Sequence, residues 1–95
     1  MYALAIKPEL DKLLQKLQVK NRKHVEIIDK KLREIRLKPE HEYKPLRSPL
    51  QGFCRVHIDK SFVLIFRIVH AEQVVEAWYF GHHDEVYQWQ PKLNP

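Results

Sequence analysis

The stretch Gly52-Phe53-Cys54-Arg55-Val56-His57-Ile58-Asp59-Lys60-Ser61-Phe62-Val63-Leu64-Ile65-Phe66-Arg67-Ile68-Val69 decides the fold. Cys54, Val56 and Ile58 alternate with Arg55, His57 and Asp59; after Asp59-Lys60-Ser61, Phe62, Leu64, Phe66 and Ile68 alternate with Val63, Ile65, Arg67 and Val69. A period of two marks strands, because successive side chains leave a strand on opposite faces. Asp59-Lys60-Ser61 reads as one turn and His70-Ala71-Glu72 as a second. A third strand is expected from about Val74 to Phe80, with Gly81 ending it. Three consecutive strands joined by tight turns form an antiparallel meander.

On the N-terminal side the period changes. Leu10, Leu13, Leu14 and Leu17 recur at helical spacing behind Pro8, which suits a first helical turn because its missing N–H costs nothing there. Lys20-Asn21-Arg22-Lys23 is a polar break. Val25, Ile28, Leu32 and Ile35 then line one face of a second helix, which Pro39 stops. Two amphipathic helices joined by a short break form a hairpin that needs a sheet to cover. Tyr2 to Ile6 is a short apolar run suited to an edge strand. Residues 39 to 52 hold Pro39, Pro45, Pro49 and Gly52 and read as an extended loop. The expectation is one α+β domain over residues 1–95: an N-terminal strand and a helical hairpin on an antiparallel sheet, then a short C-terminal tail or helix.

The alternation also assigns faces. If Cys54, Val56, Ile58, Phe62, Leu64 and Phe66 pack on the helices, Arg55, His57, Val63, Ile65 and Arg67 share the other side. That side is part apolar and part cationic. It is open to a ligand or partly covered by the loop or the tail.

Composition narrows the function. The 95 residues carry 17 Lys and Arg against 12 Asp and Glu, a net charge of +5, which suits a polyanionic partner such as nucleic acid. Two glycines leave no room for a glycine-rich phosphate loop, and neither GxxxxGK nor GxGxxG occurs, so no nucleotide cofactor is expected. The single cysteine, Cys54, forms no internal disulfide and fits a reducing compartment. Lys7, Glu9, Asp11 and Lys12 interrupt any leader-like apolar run, and no later run reaches membrane-spanning length, so a cytoplasmic protein is expected.

Six histidines are the first candidates for proton transfer near neutral pH. His57 stands on the outward face two residues from Arg55; His82 and His83 follow the last strand. The adjacency of His82, His83 and Asp84 is expected to make their side chains diverge, and no HExxH or CxxC pair is present, so no metal centre is expected. Cys54 alternates with core positions and reads as a small hydrophobe, not a nucleophile. The basic residues of the helices, among them Lys30, Arg33 and Arg36, read as a solvated face. RNA cleavage asks little of a protein. The 2′-OH is a built-in nucleophile that must lose a proton. The leaving 5′-oxygen must gain one, and cations must stabilise charge at phosphorus. Arg55, His57, Arg67 and His83, with Lys44 or Arg47 from the loop, meet that need without metal or cofactor. Tyr87, with Trp89, could stack on an unpaired base.

Lys44-Pro45-Leu46-Arg47, Gly52-Phe53-Cys54-Arg55-Val56-His57-Ile58 and Phe62-Val63-Leu64-Ile65-Phe66-Arg67 resemble the core of RelE/ParE-superfamily toxins. Phe80-Gly81-His82-His83-Asp84-Glu85-Val86-Tyr87 resembles their closing motif, and the likeness extends over nearly the whole chain. It is greatest toward the RelE/YafQ-type mRNA interferases. The resemblance implies a toxin of a type II toxin–antitoxin system, silenced by a cognate antitoxin and cutting mRNA on the ribosome. By position, His83 matches the general acid, Arg55 a phosphate-neutralising cation, His57 a base or charge stabiliser, and Tyr87 the aromatic that orients the substrate. Val63 stands where many RelE-like toxins carry an arginine, and Ser61 where a YafQ-like protein has an acidic residue; Arg67 is the cation nearest in sequence on the same face. A ParE-like inhibitor of DNA gyrase and a noncatalytic RNA- or ribosome-binding module are the alternatives.

Overall fold

The structure, a computed structural model, describes residues 1–91. In chain order it contains β1 (Ala3–Ile6), α1 (Pro8–Lys20), α2 (Arg22–Leu37), β2 (Lys44–Pro45), β3 (Cys54–Ile58), β4 (Phe62–Val69), a single 3₁₀ turn (His70–Glu72), β5 (Val74–His82) and α3 (His83–Val86). The five strands form one sheet in the order β1-β5-β4-β3-β2. The meander β3-β4-β5 is antiparallel, and β1 adds to β5 in parallel, with Ala3 opposite Val74 and Ile6 opposite Ala77.

Local chemistry explains the helical hairpin. Pro8 opens α1, and Glu9 and Asp11 place negative charge at its positive end. Asn21 ends α1, and its side-chain oxygen accepts from the His24 N–H at 3.2 Å, capping α2. The hairpin lays Leu10, Ile28, Leu32 and Ile35 on the sheet, where they meet Ile58, Leu64, Phe66, Val75, Ala77 and Phe80 in one buried cluster. Cys54, Val56 and Phe62 pack at its margin, so the alternation assigned this face as observed.

The other face is more covered than its mixed composition suggests. Val63 and Ile65 are fully buried there, under Leu50 and Phe53 from the proline-containing loop and Val86 and Trp89 from the C-terminal segment. A bulge enlarges this second cluster. Ile65 pairs with Tyr79 but Phe66 pairs with Ala77, which leaves Trp78 as an extra residue. Trp78 and its neighbour Tyr79 therefore both join the cluster on this side.

Two boundaries differ from expectation. Lys44 and Pro45, expected in loop, pair with Arg55 and Cys54 as a two-residue edge strand, a place where proline's missing donor does no harm. Gly81 does not end the last strand: it pairs with Val63, and β5 runs on to His82. A Cβ at Gly81 would stand 3.2 Å from Tyr79 Cε2, so this glycine admits a close side chain instead of breaking the strand.

Candidate active site

Four elements converge on the sheet face away from the hairpin. β3 projects Arg55 and His57 to that side, two residues apart; β2 sets Lys44 opposite Arg55. The loop after β2 brings Arg47. Its fold is held by Leu46 N–H to Phe53 O at 2.9 Å and Leu50 N–H to Arg47 O at 2.8 Å, with Leu50 and Phe53 buried as anchors. Gly52 permits the return at φ +89°, a backbone conformation that L side chains rarely adopt. The C-terminal segment brings Tyr87, and Val86, buried in the second cluster, seats α3 on this face. His83 opens α3 and stacks on His82, whose ring lies against Phe62.

Lys44, Arg47, Arg55 and Tyr87 line one open cavity of about 500 Å³, with Ser48 and Leu50 at its walls and no acidic residue in the lining. The Arg55 guanidinium carbon lies 5.9 Å from the centre of the Tyr87 ring. Tyr87 is 44% exposed and shares the cavity lining with three cations. His83 stands four residues before Tyr87, one turn back along the same helical surface, with Nδ1 3.0 Å from Asp84 Oδ1. His57 is exposed, on the same face as Arg55. It pairs with Val63, which pairs with Gly81, so the His57 backbone sits two strand spacings, roughly 10 Å, from the end of β5.

Four of the expected residues are not in the cavity lining: His57 and His83, and also Arg67 and Trp89. Arg67 does not reach the cavity. Its Nη2 is 2.8 Å from Glu76 Oε1, its Nε donates to the same oxygen at 2.9 Å, and its charge lies over the rings of Phe53 and Trp78. Trp89, read from the sequence as a base-stacking partner of Tyr87, is 8% exposed. It stacks on Tyr79 at 5.3 Å, and its Nε1 donates to Glu9 Oε1 at 3.0 Å. Its surface is spent on holding the segment in place.

His82, His83 and Asp84 also depart from expectation. Their donor atoms do not diverge; all lie within 4.8 Å of one another, because strand gives way to helix between the two histidines. Reading the sequence also missed Ser48 in the cavity wall, Glu9 as the acceptor for Trp89, and His24, buried against Phe62 with Nε2 3.4 Å from Asp59. The signal for the loop's packing role was present: Leu50 and Phe53 are large apolar residues in a segment otherwise rich in turn formers.

Among chains of known description, the family model for the ParE toxin of the type II toxin–antitoxin system parDE matches residues 3–87. A Methanocaldococcus jannaschii protein, provisionally named toxin RelE4, is 49% identical over 88 residues, covering 93% of each chain. The Agrobacterium tumefaciens YoeB/ParE toxin superposes with a TM-score of 0.74 at 19% identity, over 85% of this chain and 98% of that one. An Escherichia coli RelE toxin mutant in the free state gives 0.70 at 26% identity, over 92% and 90%. Hairpin, sheet and short closing helix thus define a toxin of the type II toxin–antitoxin class. Within that class the chain belongs to the ParE toxin family of the RelE/ParE superfamily.

Proposed function

We propose that this toxin is a metal-independent endoribonuclease that cuts mRNA on the ribosome by attack of a 2′-OH on the adjacent phosphorus. The observation that carries the reading is the cavity shared by Lys44, Arg47, Arg55 and Tyr87, with His57 on the same strand face as Arg55 and His83 four residues before Tyr87. His57 takes the 2′-OH proton or steadies the charge. Arg55, with Lys44 and Arg47, neutralises the phosphorane oxygens, and His83 protonates the departing 5′-oxygen. Tyr87 holds the nucleotide against the Arg55 guanidinium. The products are a 2′,3′-cyclic phosphate and a 5′-hydroxyl. A cognate antitoxin holds the toxin silent, and both act in the cytoplasm.

The test is cleavage of a message on programmed ribosomes by the purified toxin, with the ends of the products mapped. Parent toxin is expected to give 5′-hydroxyl ends, and His83→Ala to lose about 10²- to 10⁴-fold in rate with its fold intact. An undiminished His83→Ala protein removes His83 from the mechanism.

The match to the ParE toxin family model keeps a second reading: inhibition of DNA gyrase without cleavage of RNA, which the resemblance to ParE-like toxins implies. That activity predicts DNA damage signalling with intact messages, so transcript mapping soon after induction separates the two.

A further inference from the structure

We propose that His82, His83 and Asp84 bind a divalent transition-metal ion of the zinc, nickel or copper kind, and that the bound ion withdraws His83 from catalysis. The second half rests on the nuclease reading; the first does not.

Consecutive residues in a regular strand point to opposite faces, and in a helix they turn by about 100° each, so neither presents three neighbours to one ion. Here the regular structure changes between the two histidines. His82 keeps an extended backbone, φ −65° and ψ 143°, and its imidazole folds over the start of α3, Nδ1 accepting from the Asp84 N–H at 3.2 Å. The His83 ring stacks on it with 4.5 Å between centroids and 29° between planes. The Asp84 carboxylate reaches both: 3.5 Å from His82 Nδ1 and 3.0 Å from His83 Nδ1.

The distances suit a single ion. Donors held at about 2.0–2.2 Å stand roughly 3.3–4.4 Å apart around the metal. The three donor atoms here lie within 4.8 Å of one another, a gap that small side-chain rotations close. Among the described residues no other trio of His, Cys, Asp or Glu comes together in this way. The chemistry suits the same ions. Two imidazole nitrogens and one carboxylate favour zinc, nickel or copper, whereas magnesium and calcium select oxygen. The side chains are 35%, 48% and 72% exposed in chain order, so the ion has an entry path and room for water in its remaining positions.

The consequence follows from the two roles of His83. An imidazole with a nitrogen tied to a metal no longer passes a proton to a leaving oxygen, while Arg55 and Tyr87 keep their places across the cavity. The toxin then binds its substrate without cutting it until the ion leaves.

The experiment is calorimetric titration of the untagged chain with zinc chloride. One ion per chain is expected. His82→Ala and Asp84→Ala should each bind at least tenfold more weakly, His41→Ala like the parent, and magnesium chloride should give no binding. Imidazole NMR resonances of His82 and His83 should move on zinc addition while that of His57 stays, a readout in the unmutated fold. Unchanged binding in both His82→Ala and Asp84→Ala, or zinc-induced shifts confined to other histidines, overturns the site. Ribosomal cleavage is then measured with and without zinc for parent and Asp84→Ala, each against its own metal-free rate. Inhibition should follow occupancy in the parent, be relieved by a zinc-selective chelator, and be absent at the same zinc concentration in Asp84→Ala. Full-rate cleavage by zinc-saturated parent toxin overturns the regulatory half. A parent without nuclease activity in metal-free buffer ends the nuclease reading instead, and the binding results alone then decide the site.

Discussion

The Arg55 guanidinium and the Tyr87 ring, 32 positions apart in sequence, stand 5.9 Å apart across the mouth of one cavity. Such an interaction at an exposed site is worth about 0.5–1 kcal/mol, too little to be kept for stability alone. Its use is to hold a cation and a stacking surface at a fixed separation. Arg55→Ala and Tyr87→Ala are therefore expected to leave the melting temperature within a few degrees of the parent. Each should lower ribosomal cleavage by about 10²-fold, the scale of losing one charge-stabilising donor. Tyr87→Phe separates ring from hydroxyl: if stacking is what matters, it retains most of the activity. Both alanine variants cutting at the parental rate would place the reaction elsewhere on the molecule.

Tyr87 owes its position to Trp89. The indole is enclosed by Phe53, Trp78 and Tyr79, and its N–H donates to Glu9 on the first helix. Trp89→Ala should therefore cost about 3 kcal/mol of stability. Trp89→Phe keeps most of the packing and loses the hydrogen bond, about 1 kcal/mol or somewhat more because the acceptor is charged. Denaturant unfolding measures both. A stability unchanged in Trp89→Ala would mean that the segment is not docked as described.

Much of this architecture was legible from periodicity. The period-two runs located the meander and sorted its faces, since a strand's alternation is a direct projection of which side is buried. The helical stripes located the hairpin for the same reason. What periodicity cannot register is an irregular segment whose few apolar residues act singly. Leu50, Phe53 and Trp89 close the second face from loop and tail, and none belongs to a repeating pattern. The bulge at Trp78 likewise has no period; it turns two adjacent aromatics to one side. Gly81 reads as a strand end because a glycine needed for close approach looks, in sequence, like one that stops a strand. Of the candidate site, the shared face of Arg55 and His57 followed from alternation, whereas His83 and Tyr87 were singled out by the resemblance of the closing motif. Arg67 satisfies the same alternation, but no local pattern reveals that Glu76 across the strand pair takes up its charge.

Cys54 offers a pH-dependent check on the helix-facing side. It lies at the margin of the helix-side cluster, and burial pushes its thiol pKa up. The reactive species is the thiolate, so a raised pKa lowers the reactive fraction at any pH below it. Alkylation of the native protein should be slower than that of the unfolded chain at pH 8, and its rise with pH should be displaced upward. Folding favours the protonated thiol, so this contribution is complete below the unfolded-state pKa and is lost as pH rises through the folded one. Equal alkylation rates in native buffer and in denaturant would show Cys54 exposed. Cys54→Ala should leave cleavage intact.

Arg67 and the cavity cations give the sharpest contrast, because the same residue type should behave in opposite ways. Arg67 is bound through two nitrogens to Glu76, which also accepts from Trp78 Nε1 at 3.1 Å and lies 3.9 Å from Lys7. Removing Arg67 strips a largely buried carboxylate of its principal partner. With the guanidinium partly open to solvent, the loss should be about 1–2 kcal/mol, seen as a lower unfolding midpoint. Cleavage per folded molecule should be nearly unchanged, since this cation is already committed. Lys44→Ala and Arg47→Ala should do the reverse. Both side chains are exposed in the cavity lining, so stability should move by no more than about 0.5 kcal/mol. RNA affinity should fall, and the slope of log affinity against log salt should become shallower, by up to about 0.7 for each phosphate of a single strand that the variant no longer neutralises. Measuring unfolding midpoint, cleavage rate and salt slope on the three variants checks the assignment. If Arg67→Ala lowers RNA affinity and salt slope as the cavity variants do, its pairing with Glu76 opens on substrate binding and the RNA path extends along β4.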